Sequence, residues 1–252
     1  MTHRGKLFFV SGPSGCGKTT LVNDLLASDK TRVSVVKTTT RKPRQGEVEG
    51  KDYHFVSEEE FERQDRENKF VASYRVYGHR YGTYRKEVED TLSRGQDVVM
   101  VAGDGKVLPL LRKDLPNEDI VGIYLLPHKD EEKALAILAG RMRDRGDSED
   151  AIAERIKYMR EHPPFSEDYK FDHILLCFDE EKNRVLSPQE VLEKAEVIIA
   201  KHHNAISSEH RTQLNFSSSL RISPQQFTAG RGYVAQLAGG AGRNGSEAAR
   251  II

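Results

Sequence analysis

An α/β fold built on a parallel sheet flanked by helices is what this 252-residue sequence predicts, on three observations. Short apolar runs alternate with helix-like segments along most of the chain, the pattern of strands joined by helical crossovers. Two of those runs, 97–101 (DVVMV) and 120–126 (IVGIYLL), are nearly continuously apolar, as strands covered on both faces are. The first run, 6–10 (KLFFV), leads into a glycine-rich octet and then a helical segment, a strand–loop–helix order.

Taken in order, residues 6–10 form a strand bounded by Ser11 and Gly12. Residues 19–28 form a helix with Leu21, Leu25 and Leu26 on one side. Residues 33–36 (VSVV) read as a β-like run, followed by a polar, turn-rich stretch over 37–52. Ser57-Glu58-Glu59-Glu60 is a capping box that starts a short acidic helix containing Phe61. Residues 70–77 are strand-like and 83–94 helical. After the strand at 97–101 come a helix over 106–113, with Pro109 near its start, and the strand at 120–126, ended by Pro127. Two helices, 130–142 and 148–162, flank an arginine-rich turn, and a strand covers 173–178. Ser187-Pro188-Gln189-Glu190 combines a cap, a proline at the first helical position and a box glutamate, and starts a helix running to about Lys201.

The length allows one domain with appendages, or two small ones. Lysine plus arginine and aspartate plus glutamate number 39 each, so bulk charge indicates neither a nucleic-acid nor a membrane partner. The two cysteines, Cys16 and Cys177, are too few for a disulfide scaffold and suit a reducing cytosol, so a cytoplasmic location is expected. No apolar run approaches the roughly 20 residues of a membrane span, and the run at 7–10 is too short for a signal peptide. Beyond about residue 205 the chain lacks lysine and aspartate and is rich in serine, glycine and glutamine, with linker-like Gly239-Gly240-Ala241-Gly242. Disorder is expected over 205–252, as an idle extension in preference to an interaction arm.

The octet Gly12-Pro13-Ser14-Gly15-Cys16-Gly17-Lys18-Thr19 matches the phosphate-binding loop G-x-x-x-x-G-K-[ST]. Its glycines let the chain fold back and point backbone N–H groups inward, and the helix N-terminus completes an anion site. Lys18 is placed to reach the β/γ-phosphates of ATP, and the Thr19 hydroxyl to ligate Mg²⁺. The Cys16 position needs no particular side chain.

A second constellation lies in residues 39–55. Arg41 and Arg44 stand three apart with Tyr53 shortly after, and Tyr81-Gly82-Thr83 adds another phenol and a hydroxyl. Two guanidinium forks and a phenol suit a second phosphate.

In these residues the chain resembles the guanylate kinases, a family of nucleoside monophosphate kinases. The family pattern T-T-R-x-x-R-x-G-E-x-x-G-x-D-Y-x-F is present in full from Thr39 to Phe55, and the later Y-G-T at Tyr81-Gly82-Thr83. The resemblance extends over about 6–201. It implies a phosphate-loop parallel-sheet core, a small monophosphate-binding lobe and a lid, with the domain over 1–204: core 1–37 and 84–204, lobe 38–83, lid about 141–155. The implied reaction moves the γ-phosphoryl of ATP, with Mg²⁺, to a nucleoside monophosphate. Arg41, Arg44, Tyr53 and Tyr81 match the family's acceptor-phosphate ligands, and Glu47 the glutamate between them. The turn Arg141-Met142-Arg143-Asp144-Arg145-Gly146 resembles the lid, and Arg155 a further lid arginine. Lid arginines closing over the polyphosphate neutralise charge as the phosphoryl moves, and no general base is required, because the acceptor is already an ionised phosphate oxygen.

The departures fall where the base is read. Lys37 stands two places before the T-T-R triplet, where the family has serine. Ala72 replaces the glutamate of F-[LI]-E. Val101-Ala102-Gly103 stands for D-I-D, with Asp104 one place late, and Cys177 for an asparagine. Guanine offers donors that a carboxylate accepts and that alanine and glycine cannot. Lys37 binding the guanine O6 and N7, or Asp104 supplying a carboxylate after a one-residue shift, would restore recognition. Three readings follow: a guanylate kinase with a diverged base pocket, a kinase of the same fold acting on another phosphorylated acceptor, and a non-catalytic binding module.

Overall fold

The computed structural model describes residues 4–44, 46–76, 78–116, 119–161, 167–204 and 250–251. Its strands are β1 (Leu7–Ser11), β2 (Lys37–Thr39), β3 (Tyr53–Phe55), β4 (Phe70–Val76), β5 (His79–Tyr84), β6 (Val98–Val101), β7 (Ile120–Leu126), β8 (His173–Leu176), β9 (Phe178–Asp179), β10 (Arg184–Val185) and β11 (Arg250–Ile251). The helices are α1 (Lys18–Ser28), α2 (Glu58–Arg66), α3 (Arg85–Ser93), α4 (Val107–Asp114), α5 (Glu131–Asp144), α6 (Glu149–Glu161) and α7 (Pro188–Asn204). They fall into two compact units. One takes the described residues of Met1–Val10, Val22–Ala102 and Lys106–Gly122; the other takes those of Ser11–Leu21, Gly103–Gly105 and Ile123–Ile252.

In the first unit β1 pairs parallel to β6, from Leu7↔Val98 to Val10↔Val101, and the apolar side chains of both strands are buried except at Val101. Of the strand expected at 33–36 only Val33 pairs, as an isolated bridge to Val98. The strand that does form, β2, lies in the stretch expected to be turns, where β-branched Thr38 and Thr39 suit a pleated surface. β2 is one of the two inner strands of a second sheet, ordered β3-β2-β5-β4. It runs parallel to β3 and antiparallel to β5, and the β4–β5 hairpin carries a bulge between Val71 and Tyr74. The helix expected from residue 83 starts at Arg85, because Thr83 and Tyr84 stay in β5, paired with Lys37 and Phe70.

α2 closes one face of this sheet. Half of the capping box forms: Ser57 Oγ accepts from the Glu60 N–H at 3.1 Å, while the Glu60 carboxylate turns to Arg63 and Gln64. Phe61 stacks on Phe70 at 4.5 Å between ring centroids. Gly82 makes that contact possible, since a Cβ there would stand 2.8 Å from Phe70 Cγ. α4 buries Val107, Leu108 and Leu111.

β7 is buried along its whole length, and its residues in the second unit pair parallel to β8 from Ile123↔His173 to Leu126↔Leu176. The strand expected at 173–178 ends at Leu176, and Phe178–Asp179 instead opens a short hairpin with Arg184–Val185. α5 is capped by Asp130, whose Oδ1 accepts from the Lys133 N–H at 2.9 Å. It runs two residues past Met142, so Arg141 and Arg143 are helical rather than in a turn. α7 starts as its sequence predicts: Glu190 Oε2 accepts from the Ser187 N–H at 2.8 Å, and Ser187 Oγ accepts from the Glu190 N–H at 3.3 Å.

Residues 205–249 and 252, where disorder is expected, lie outside the described residues. Arg250–Ile251 depart from that expectation: they form β11, parallel to β8 in the register Arg250↔His173 and Ile251↔Ile174.

Candidate active site

The donor loop belongs to the second unit. Gly12 has φ +148°, and a Cβ there would stand 2.8 Å from the Leu125 carbonyl oxygen and 2.9 Å from Cys16 Sγ. Gly15 and Gly17 take φ +83° and +99°, where L side chains are strained. The chain therefore folds back on itself, and the Cys16 N–H donates to the Pro13 carbonyl at 3.3 Å. Lys18 is the first residue of α1, and its Nζ donates to the Gly12 and Pro13 carbonyls at 2.8 and 2.7 Å. An ammonium thus stands inside a loop that opens onto the positive end of an eleven-residue helix. Thr19, next along, is exposed. This donor set fits a polyphosphate with a hard, oxygen-seeking cation: a lysine, unpaired helical N–H groups and a hydroxyl.

The expected lid residues divide. Arg141 reaches the loop, its Nη1 donating to the Cys16 carbonyl at 2.9 Å. Arg145 and Arg155 converge on one carboxylate, Asp147. That residue escaped the sequence reading. Asp147 carries no motif: Glu149, Asp150 and Glu154 also lie between the two arginines in sequence, and nothing in the spacing singles it out. The Arg145 hydrogen bond holds the Asp147 carboxyl below the usual range, with the Arg155 charge adding to it. Arg143 forms an exposed pair with Glu149 at 2.6 Å and does not reach the loop.

The acceptor cradle belongs to the first unit. Arg41 Nη2 donates to Glu47 Oε1 at 2.8 Å, and its guanidinium lies 5.4 Å from the Tyr53 ring centroid and 5.9 Å from that of Phe55. The hydrogen bond to Glu47 raises the Arg41 pKa, with a smaller contribution from Tyr81, and depresses that of Glu47. Glu47 Oε2 also accepts from the Arg44 N–H at 2.7 Å, which fixes the loop and leaves the Arg44 side chain exposed. Tyr81 meets Tyr53 edge-on at 6.2 Å and stacks on Tyr74 at 5.8 Å. Burial pushes the Tyr53 phenol up, keeping it a neutral donor. The structure thus brings Arg41, Glu47, Tyr53 and Tyr81 together, with Arg44 at the rim.

Lys37 and Thr83 are partners in the β2–β5 register. Lys37 Nζ donates to the Val101 carbonyl at 2.9 Å and lies 5.8 Å from the Tyr53 ring centroid. Burial lowers its pKa to about 8. Thr83 is fully buried, and among the described residues its hydroxyl has no hydrogen-bond partner. Ala72 is buried at the β4 bulge with φ +51°, and its N–H donates to Asp114 Oδ2 at 3.0 Å. No motif marked Asp114. Asp104 belongs to the second unit, where its charge helps burial raise the Tyr169 phenol.

A glycine loop closed around a helix-starting lysine, with an arginine on its carbonyls, defines a P-loop phosphotransferase; the arginine–tyrosine cradle suits a second phosphate. The family model for guanylate kinase matches residues 4–194. A guanylate kinase of Shewanella denitrificans is 42% identical over 158 residues, covering 62% of this chain and 72% of the relative. One of Sphingopyxis alaskensis is 36% identical, covering 71% and 81%. One of Nitrosospira multiformis is 31% identical, covering 84% and 99%. The crystal structure of guanylate kinase from Anaplasma phagocytophilum superposes with a TM-score of 0.55 at 25% identity, covering 79% of this chain and 86% of that one. The chain belongs to the guanylate kinase family.

Proposed function

We propose that this protein phosphorylates GMP to GDP, with ATP as donor and Mg²⁺ as the metal. The observation that carries the reading is the pairing of an intact phosphate loop with an arginine–tyrosine phosphate cradle in a chain of this family. Gly12 to Thr19 hold the ATP phosphates, Lys18 neutralises them, and Thr19 ligates the Mg²⁺. Arg41, Arg44, Tyr53 and Tyr81 bind the acceptor phosphate, with Glu47 orienting Arg41. Arg141 and Arg145 stabilise the charge on the moving phosphoryl, and Arg155 supports the donor side. Lys37, Ala72 and Thr83 stand toward the acceptor base, and Asp104 is a candidate carboxylate. The catalytic domain is 1–204, divided into core, lobe and lid as the resemblance implies; the family match ending at residue 194 supports its C-terminal limit. A cytoplasmic location is supported by two buried, unbridged cysteines; among the described residues no helix is long and apolar enough to cross a membrane.

Lys37 favours one rival, a kinase of the same fold acting on a more electron-rich phosphorylated acceptor. A coupled assay of ADP release over GMP, dGMP, AMP, UMP, CMP and ribose phosphates tests both. Preference for GMP supports the proposal; preference for a sugar phosphate or a pyrimidine nucleotide overturns it.

A further inference from the structure

Lys37 carries three N–H donors, and among the described residues its one hydrogen bond is to the Val101 carbonyl. No carboxylate there forms an ion pair with it. A part-buried cation with spare donors is costly unless something fills them. Its register partners, Thr83 on β5 and Tyr53 on β3, share its face of the sheet. The Thr83 hydroxyl on that face is buried with no partner among the described residues. The Tyr81 and Arg41 cradle lies two residues along, where Thr39 pairs with Tyr81. Two strand residues span about 6.5 Å, the scale of a ribose and its linking carbon. A monophosphate seated on Arg41 and Tyr81, and directed along β2 past Tyr53, brings its base to Lys37 and Thr83.

The chemistry of those groups chooses the edge of the base. An ammonium donates only, and a hydroxyl donates or accepts, so two adjacent acceptors suit them: the O6 and N7 of a 6-oxopurine. Adenine presents a donor amino group in place of O6 and opposes the ammonium. Neither Lys37 nor the Ala72 methyl supplies an acceptor for the 2-amino group of guanine; a carboxylate from Asp104 would supply one, and its use would show as binding of GMP well above IMP. The Asp114 carboxylate is engaged by the Ala72 N–H and lies 3.7 Å from Arg85. Resting on the proposed kinase activity, we infer that Lys37 is the specificity-determining residue of the acceptor cradle. It reads the 6-oxo edge of a purine, so that IMP, which lacks the 2-amino group, is taken as an acceptor alongside GMP.

Calorimetric titration of the full chain with GMP, IMP and AMP tests this, beside the coupled assay. The expected result is GMP and IMP affinities within about tenfold of each other, with AMP weaker by about tenfold or more. Lys37→Met is expected to weaken GMP and IMP by at least about tenfold and to leave AMP little changed. IMP bound more than about tenfold more weakly than GMP, or a GMP:AMP ratio unchanged by Lys37→Met, overturns the inference. Retained MgATP binding confirms that the variant is folded; if it is not, the three wild-type affinities decide alone. Binding of GMP and IMP without ADP release would contradict the kinase activity and leave the recognition of the 6-oxo edge standing.

Discussion

Arg41 is the side chain on which the acceptor cradle turns: Glu47 aims it, Tyr53 and Phe55 flank it, and Tyr81 stands beside it. Removing it leaves the Glu47 carboxylate without its charge partner and the acceptor phosphate without a fork. Arg41→Met is therefore expected to lower kcat/KM for GMP by about 10²–10³, mostly through KM, in steady-state kinetics. Lys18→Ala is expected to lower kcat by about 10²–10³ or more with GMP binding intact, because the lysine acts on the other substrate. Lys37 gives a pH signature. Its pKa falls from 10.5 in a free lysine to about 8 when buried, so the unfolded chain binds the extra proton between those values. Stability conferred through this group therefore rises as pH climbs from about 8 to 10.5. In urea titrations across that window, the wild type is expected to gain on Lys37→Met; a constant difference between the two would contradict the burial of the charge. The residues proposed as phosphate ligands stand out one by one because their motifs are contiguous. Asp147 and Asp114 do not, because a carboxylate's partner is chosen by packing between segments distant in sequence or hidden in a turn.

Among the elements, those with local chemistry at their ends were the most readable. Ser187 and Glu190 form the reciprocal cap that their spacing predicts, and Ser57 forms its half, accepting from the Glu60 N–H. Ser187→Ala is expected to cost about 1 kcal/mol in equilibrium denaturation by freeing N–H groups at the start of α7. Two of the misread elements lie in the second sheet. β2 and β5 are short, polar and threonine- or tyrosine-bearing, and they become strands because each supplies the other's backbone partners. Residues 33–36 carry a stronger local β signal and remain almost unpaired, with Val33 alone bridging Val98. Pairing partners, not propensity, decided both cases.

For the whole molecule, the alternation of apolar strands and helices led to an α/β class that the observed parallel pairings bear out. The C-terminal stretch is where composition said least. Its last described residues pair with β8 despite a sequence that reads as linker up to Gly242. Because the family match ends at residue 194, a chain cut after Asn204 is expected to keep its turnover of GMP; loss of activity on truncation would assign the β11 pairing a role in the enzyme. The proposed function turns on phosphoryl transfer between two bound phosphates. Its most direct test is ADP release from purified protein supplied with ATP, Mg²⁺ and GMP. Release that requires GMP and vanishes in Lys18→Ala is the predicted result, and no GMP-dependent ADP from the folded wild-type chain would contradict it.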